Sequence, residues 1–126
     1  MVSVTITGIQ EAHAANLRAI AAVKPEGGLG RAIQYATTAA HQYAVSITHV
    51  DTGALRASER MALFGTRGEI FLDPTARNPR GGERTAIYGV TEHERGGSHA
   101  FFRRTIDEAG ERIGTTAVQM IKDAAQ

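Results

Sequence analysis

A long amphipathic segment between residues 29 and 48 constrains the fold of this chain more than any other feature. Its apolar side chains recur at spacings of three and four residues, which places them on one face of an α-helix. They are Leu29, Ile33, Ala36, Ala40, Tyr43 and Ile47. We therefore expect a long central helix that buries one face against the rest of the domain.

Two further helices are predicted, one on each side of this segment. The first covers residues 9–23, begins after Gly8 and ends before the break formed by Pro25, Gly27 and Gly28. The second covers about residues 100–125 and has Ser98 as its expected N-cap. The apolar stripe of this C-terminal helix consists of Phe102, Ile106, Ala109, Ile113, Ala117, Met120 and Ala124.

Four segments have the residue pattern of β-strands. Val2, Val4 and Ile6 alternate with polar residues in the first. Residues 60–64 and 69–73 flank the turn sequence "GTRG", which indicates a hairpin, and residues 85–91 return to β character. Between them, residues 74–84 are rich in Pro, Gly and Arg and are expected to form an exposed flexible loop.

The order β-α-α-β-β-β-α favours an α+β fold. We expect a single domain over residues 1–126, with a small antiparallel sheet of about four strands packed against the central and C-terminal helices. A sheet this small leaves exposed edges, which invite pairing with neighbouring chains.

Composition excludes several classes of function. The chain has 14 basic and 13 acidic residues, so its charge predicts neither a dedicated nucleic-acid nor a membrane-surface binder. It contains no cysteine, which excludes disulfides, thiolate nucleophiles and cysteine-ligated zinc. No secretory signal and no membrane-spanning stretch is visible, so we expect a soluble protein made in a cytoplasm.

The stretch "HVDTGALRAS" contains the triplet Asp51-Thr52-Gly53, which also occurs at the catalytic aspartate of retroviral-type proteases. Those proteases place the triplet between strands, whereas here it follows a long helix. A corner between helix and sheet explains it better, with Asp51 or Thr52 as a helix N-cap and Gly53 in a tight bend. Residues 54–58 would form one helical turn, with Leu55 in the core and Arg56 at the surface.

The same stretch resembles the "TG-x-L-x-x-S" signature of the tail-completion or head–tail joining proteins of long-tailed phages. Its residues here are Asp51, Thr52, Gly53, Leu55 and Ser58. The opening "ITGIQEAHAANLRAI" is similar to the first strand, turn and helix of that family. "AIYGVTEHERGGSHAFFRRTIDEAG" is similar to its aromatic strand and the start of its last helix, so the resemblance extends over nearly the whole chain.

The resemblance implies an α+β structural protein of the virion, without catalysis or cofactors and without a membrane partner. It implies a ring, hexameric in expectation, at the neck or upper tail, assembled in the host cytoplasm. Such a ring would contact the tail tube protein and the connector, stopper or tail terminator. Double-stranded DNA would pass through its lumen without sequence-specific binding.

Several other clusters of polar residues are candidate sites. Glu92, His93, Glu94 and His99 contain ligands for zinc or manganese, but their spacing matches no known metal motif, so we predict a surface loop and no metal. His49 and Asp51 form a possible base–orienter pair without an evident nucleophile. The glycine-rich residues 27–31 lack the Lys-Ser/Thr of a phosphate-binding loop and favour a flexible hinge.

Four arginines in or beside loops are candidates for contacts between subunits or between rings, or with DNA phosphates: Arg67, Arg77, Arg80 and Arg84. Contact with protein is favoured because no aromatic residues accompany them for base stacking. Tyr88, Phe101 and Phe102 are expected in the core. Two alternatives to the virion role remain open: a cellular α+β ligand- or peptide-binding domain, and a small aspartic-type hydrolase that uses Asp51-Thr52-Gly53.

Overall fold

The chain folds into a mostly helical α+β domain in which a hairpin packs on one of two paired long helices. The computed structural model describes residues 2–49, 53–77, 82 and 84–126, apart from the side chain of Tyr88. The helices are α1 (Ile9–Ala22), α2 (Gly28–Ile47), α3 (Ala54–Ser58), α4 (Thr85–Glu94) and α5 (Phe101–Ala124), with a 3-10 turn at Gly97–His99. The strands are β1 (Glu59–Phe64) and β2 (Arg67–Leu72).

The antiparallel pair formed by α2 and α5 is the framework of the domain. The start of α2 meets the end of α5, where a Cβ added to Gly28 would lie 2.4 Å from the Cβ of Ala124. Further along, the Tyr43 hydroxyl donates to Glu108 Oε1 at 2.9 Å. The buried residues of the two helices are mostly small and include Ala32, Ala44 and Ala109, with Ile113 as a larger one. Close helix packing of this kind leaves little room for large core side chains.

The predicted four-stranded sheet is wrong, because the described residues form a sheet of only two strands. β1 and β2 pair from Glu59 opposite Leu72 to Phe64 opposite Arg67, which confirms the predicted hairpin. Residues 2–7 belong to none of the described helices or strands, so the strand predicted there is wrong, and Val2, Val4 and Ile6 all face solvent. Alternation of apolar residues is not sufficient for a strand, because a strand also needs a partner.

Residues 85–91, predicted as a strand, belong instead to helix α4. Among the side chains of α4 that the structure describes, the buried positions are Thr85, Gly89 and Glu92, which recur at helical spacings of four and three. Gly89 allows a close approach: a Cβ there would lie 2.2 Å from Leu72 Cδ1 and 2.8 Å from Leu55 Cδ1. The buried face of α4 is therefore polar and small, and its apolar Ile87 and Val90 are exposed.

Helix α5 begins two residues later than its predicted cap suggests. Ser98 lies inside the 3-10 turn, and Ala100, which is buried, immediately precedes the helix. Ser98 contacts helix α5 through its backbone carbonyl rather than its hydroxyl: the carbonyl accepts a hydrogen bond from Arg104 Nη1 at 3.0 Å. Of the predicted stripe, Ala109 and Ile113 are buried, whereas Ile106 is exposed.

Among the described residues, no helix combines the length and apolarity that a membrane span requires.

Candidate functional site

The corner after α2 brings the end of that helix against α3 and the start of the hairpin. Gly53 has a φ of 84°, a left-handed conformation that glycine adopts at little cost, and the helical turn α3 follows directly. Leu55 is buried, and the Ser58 hydroxyl donates to the Leu55 carbonyl at 2.7 Å. Asp51 and Thr52 lie outside the described residues. Of the signature, the described part is thus a buried structural corner.

Arg56 turns inward, contrary to the prediction that it stays at the surface. Its Nη2 donates to the backbone carbonyl of Thr48 at 2.7 Å, and its Nε is buried without a hydrogen-bond partner among the described residues. The carbonyl at the end of α2 lacks a partner within the helix, so a cation there satisfies it. Arg56 therefore fastens α3 to the C-terminus of α2.

Glu59 is a buried carboxyl group at the centre of the same corner. It is 3% exposed, and the Thr48 hydroxyl lies 3.0 Å from each of its carboxylate oxygens. Its backbone carbonyl lies 3.0 Å from His41 Nε2. Burial raises the pKa of Glu59 to about 7, against the opposing effects of the Thr48 hydrogen bond and the Arg56 charge. This carboxyl group is a missed feature, since a lone Glu in a strand gives no sequence signal.

A second cluster joins His49, Glu92 and His99 beside the corner. One candidate ligand atom from each residue lies within 4.8 Å of the others. Glu92 Oε1 is 3.8 Å from His49 Nδ1 and is hydrogen-bonded to His99 Nδ1. The imidazole rings of His49 and His99 meet edge to face, with centroids 4.2 Å apart. Three separate elements thus converge on one carboxylate.

The composition of this cluster differs from the predicted group of residues 92–99. His93 points elsewhere: its ring packs on the ring of Phe101, with centroids 5.4 Å apart, and its Nε2 accepts a hydrogen bond from the backbone N–H of Arg103. Glu94 is exposed. Because Glu92 and His93 are adjacent on a helix, their side chains point about 100° apart, and only Glu92 faces inward.

Glu92 is ionised within this cluster. Burial alone raises the pKa of a carboxyl group, but hydrogen bonds from His99 and Arg95 outweigh it and hold the pKa of Glu92 below its usual range. Arg95 Nη1 donates to Glu92 Oε2 at 3.1 Å. The second oxygen, Oε1, faces the two histidines.

The predicted arginines lie on the hairpin and at the base of the loop. Arg67 is exposed, pairs with Glu69 at 3.3 Å and lies over the Phe64 ring at 5.1 Å. Arg77 and Arg84 form an isolated β-bridge, and Arg77 Nη1 donates to the carbonyl of Gly82 at 2.8 Å. Arg80 lies outside the described residues.

The glycine-rich segment between α1 and α2 is a tight turn. A Cβ on Gly27 would lie 2.1 Å from the Ala21 carbonyl oxygen, and one on Gly30 would lie 1.6 Å from that of Pro25. Glycine is needed there because backbone approaches backbone. Whether the segment also acts as a flexible hinge stays a prediction. Of the predicted core aromatics, Phe101 is fully buried and Phe102 half-buried, with ring centroids 4.7 Å apart.

A shallow groove of about 370 Å³ lies between α2, β2 and α5. Its floor is mostly aliphatic and includes Ile33, Ala36, Ala40, Ile70 and Ile113. Gly68 contributes backbone to its wall. The groove is open and apolar, which suits a protein segment better than a small polar ligand.

No protein-family model matches the chain, and neither a curated protein nor a solved structure does. Support for a function therefore comes from the contacts and exposed surfaces of the chain itself.

Proposed function

We propose that this chain is a structural protein of the phage neck. In this proposal it forms a ring, hexameric in number, that completes or terminates the tail tube and joins it to the connector, and DNA passes through the lumen. Its role is assembly rather than catalysis. The observation that carries the proposal is an apolar surface that the single chain leaves uncovered.

This surface consists of the N-terminal segment, residues 2–7, and helix α1. Val4 is 82% exposed and Ile6 is 71% exposed. On α1, Ile9, Leu17 and Ile20 are all exposed, and Ala22 is its one buried residue among those described. An amphipathic helix with an uncovered apolar face marks a surface of interaction. A chain that assembles with copies of itself would cover it.

The occupant of the groove between α2, β2 and α5 follows from the same reasoning. An extended segment with alternating apolar side chains adds readily to a free strand edge, where backbone hydrogen bonds supply affinity. The N-terminal segment has that pattern, and the two-stranded sheet offers unpaired edges in the described part of the chain. We assign the groove to the N-terminal segment of a neighbouring copy.

Such a contact joins two different surfaces, so it can repeat head-to-tail from one copy to the next. Head-to-tail contacts generate closed rings when the rotation between copies closes. A ring therefore follows naturally from a protruding segment at one place on the chain and a receptive groove at another. The signature resemblance in residues 51–58 points to the phage neck as the place of that ring.

The remaining polar surface supplies the contacts to neighbouring rings. Arg67, on the hairpin, and Arg77 and Arg84, at the base of the loop, carry positive charge outward. We assign these arginines, with Arg80, to contacts with the tail tube protein or the connector, stopper or terminator. Guanidinium groups suit such contacts because they bind carboxylates in pairs of hydrogen bonds.

The groove also supports a second candidate function, a cellular ligand- or peptide-binding domain. An aliphatic groove beside a strand edge receives an extended peptide by the same strand addition. In that case the segment bound is foreign and the N-terminal segment has no role in it.

Immunogold labelling of virions separates the two functions. An antibody against the chain is expected to label particles at the head–tail junction, once per particle. Genomes in which Val4 and Ile6 are both changed to Asp are expected to yield separate heads and tails. A cellular binding domain predicts unlabelled virions and normal particles from the changed genome.

A further inference from the structure

We propose that His49, Glu92 and His99 form a binding site for one divalent transition-metal ion of the Zn²⁺ class. His49 follows the end of α2 by two residues, Glu92 lies on α4, and His99 lies in the 3-10 turn before α5. Two imidazole nitrogens and one carboxylate oxygen are a ligand set that zinc sites in proteins use. This inference is independent of the proposed role in the phage neck.

The spacing of the ligand atoms is close to what such an ion requires. Ligands at about 2.0–2.1 Å in tetrahedral geometry lie roughly 3.3 Å from one another. His49 Nδ1 is 3.8 Å from Glu92 Oε1, and His99 Nδ1 is in hydrogen-bond contact with that same oxygen. An ion would replace the proton shared by His99 and Glu92, and side-chain shifts on the order of 1 Å would bring the three ligand atoms, which lie within 4.8 Å of one another, to that spacing.

The surroundings of Glu92 prepare one of its oxygens for a metal. Its side chain is only 4% exposed, and Arg95 Nη1 binds Oε2 at 3.1 Å. A fixed second oxygen orients the carboxylate and keeps Oε1 directed at the two imidazoles, as outer-shell partners do in zinc proteins. The rings of His49 and His99 lie against each other, with centroids 4.2 Å apart, so both imidazoles stand beside the same carboxylate.

The ligand set also selects the kind of ion. Two nitrogen donors disfavour Mg²⁺ and Ca²⁺, which prefer oxygen ligands, and favour Zn²⁺, Co²⁺ or Ni²⁺. Three protein ligands leave one position of a tetrahedral ion open. The His49 side chain is 46% exposed, so that position faces solvent and takes water or a side chain of a neighbouring molecule.

Zn²⁺ titration of the chelator-treated full chain by isothermal calorimetry tests the proposal. We expect one ion per chain, and Co²⁺ in its place should give visible absorption bands of a four- or five-coordinate ion. His49→Ala and His99→Ala are each expected to weaken Zn²⁺ binding at least tenfold. His13→Ala, on the exposed surface of α1, is the matched control and should leave binding unchanged.

The outcome remains decisive if one of the variants fails to fold. His49 is the most exposed of the three ligands, so His49→Ala should keep the wild-type circular dichroism spectrum even if a change at Glu92 does not. The absence of Zn²⁺ binding to the wild-type chain overturns the proposal. So does binding that is as tight in folded His49→Ala as in the wild type.

Discussion

The Thr48 hydroxyl contacts both the carboxyl group of Glu59 and the Ala44 carbonyl, and its single proton cannot serve both acceptors while Glu59 is ionised. Thr48 Oγ1 lies 3.0 Å from both carboxylate oxygens of Glu59 and 2.7 Å from the Ala44 carbonyl. A hydroxyl has one proton to donate. If Glu59 is protonated, it donates to Thr48 and Thr48 donates to Ala44, so each group is satisfied. Burial raises the pKa of Glu59, and the Thr48 hydrogen bond opposes that rise only in part.

Stability is expected to fall as pH rises through the titration of Glu59. Its pKa is about 7 in the folded chain and 4.5 without the fold. The folded state therefore holds more protons between these values, and the stabilisation present below pH 4.5 is lost as pH rises to about 7. We expect a loss of roughly 2–3 kcal/mol between pH 5 and pH 8. Urea unfolding at several pH values measures it.

The variant Glu59→Gln isolates this contribution. Glutamine keeps the shape of the protonated carboxyl group and does not titrate, so the pH dependence of its unfolding should be shallower by that amount. Glu26→Gln, at an exposed position, is the control and should follow the wild type. Parallel pH profiles of wild type and Glu59→Gln would contradict a buried, late-titrating Glu59.

Leu55→Ala should destabilise the chain more than any other single truncation in α3. Leu55 is buried in the corner, and its Cδ1 lies so close to α4 that a Cβ added to Gly89 would be 2.8 Å from it. Removal of a buried leucine leaves a cavity and costs about 2–5 kcal/mol. Leu63→Ala on the hairpin, where the side chain is exposed, should cost less than 1 kcal/mol. Equal losses in thermal or urea unfolding would place Leu55 outside the core.

Gly68 and Thr37 should be energetically coupled. A Cβ on Gly68 would lie 1.7 Å from Thr37 Oγ1 and 2.9 Å from Thr37 Cβ. Gly68→Ala is therefore expected to cost about 1–3 kcal/mol through overpacking. Thr37→Ala removes the nearest atom, so the double variant should recover at least about 1 kcal/mol of that loss. Strictly additive free energies of unfolding would contradict this contact between β2 and α2.

The N-terminal segment should matter for assembly and not for the stability of the single chain. Val4 and Ile6 make no buried contacts, so Val4→Asp with Ile6→Asp should change the free energy of unfolding by no more than about 0.5 kcal/mol. Thermal unfolding of dilute samples measures this. A large destabilisation would mean that the segment belongs to the core of its own chain.

Helical periodicity in the sequence predicted α1, α2 and α5 because their apolar residues carry the pattern. It failed for α4, whose buried face is formed by Thr85, Gly89 and Glu92. Hydrophobicity indicates a helix only where the buried side is apolar. In α4 the β-branched residues Ile87 and Val90 are outside, so they gave the appearance of a strand.

The His49–Glu92–His99 cluster was predictable only in part. Glu92 and His99 stand close in sequence and are candidate ligands on that ground, but His49 lies more than 40 residues away and reaches them through the tertiary packing of the corner. The choice of Glu92 over Glu94, and of His99 over His93, depends on which side of α4 is buried. Sequence spacing without the fold does not contain that information.

Light scattering with negative-stain imaging of the purified chain tests the central proposal most directly. Six copies of 13.4 kDa correspond to about 80 kDa. We expect that mass and ring-shaped particles for the wild type, and a mass near 13.4 kDa without rings for the Val4→Asp, Ile6→Asp variant. A wild-type chain that stays monomeric at every concentration, or a variant that still forms rings, would contradict assembly through the N-terminal segment.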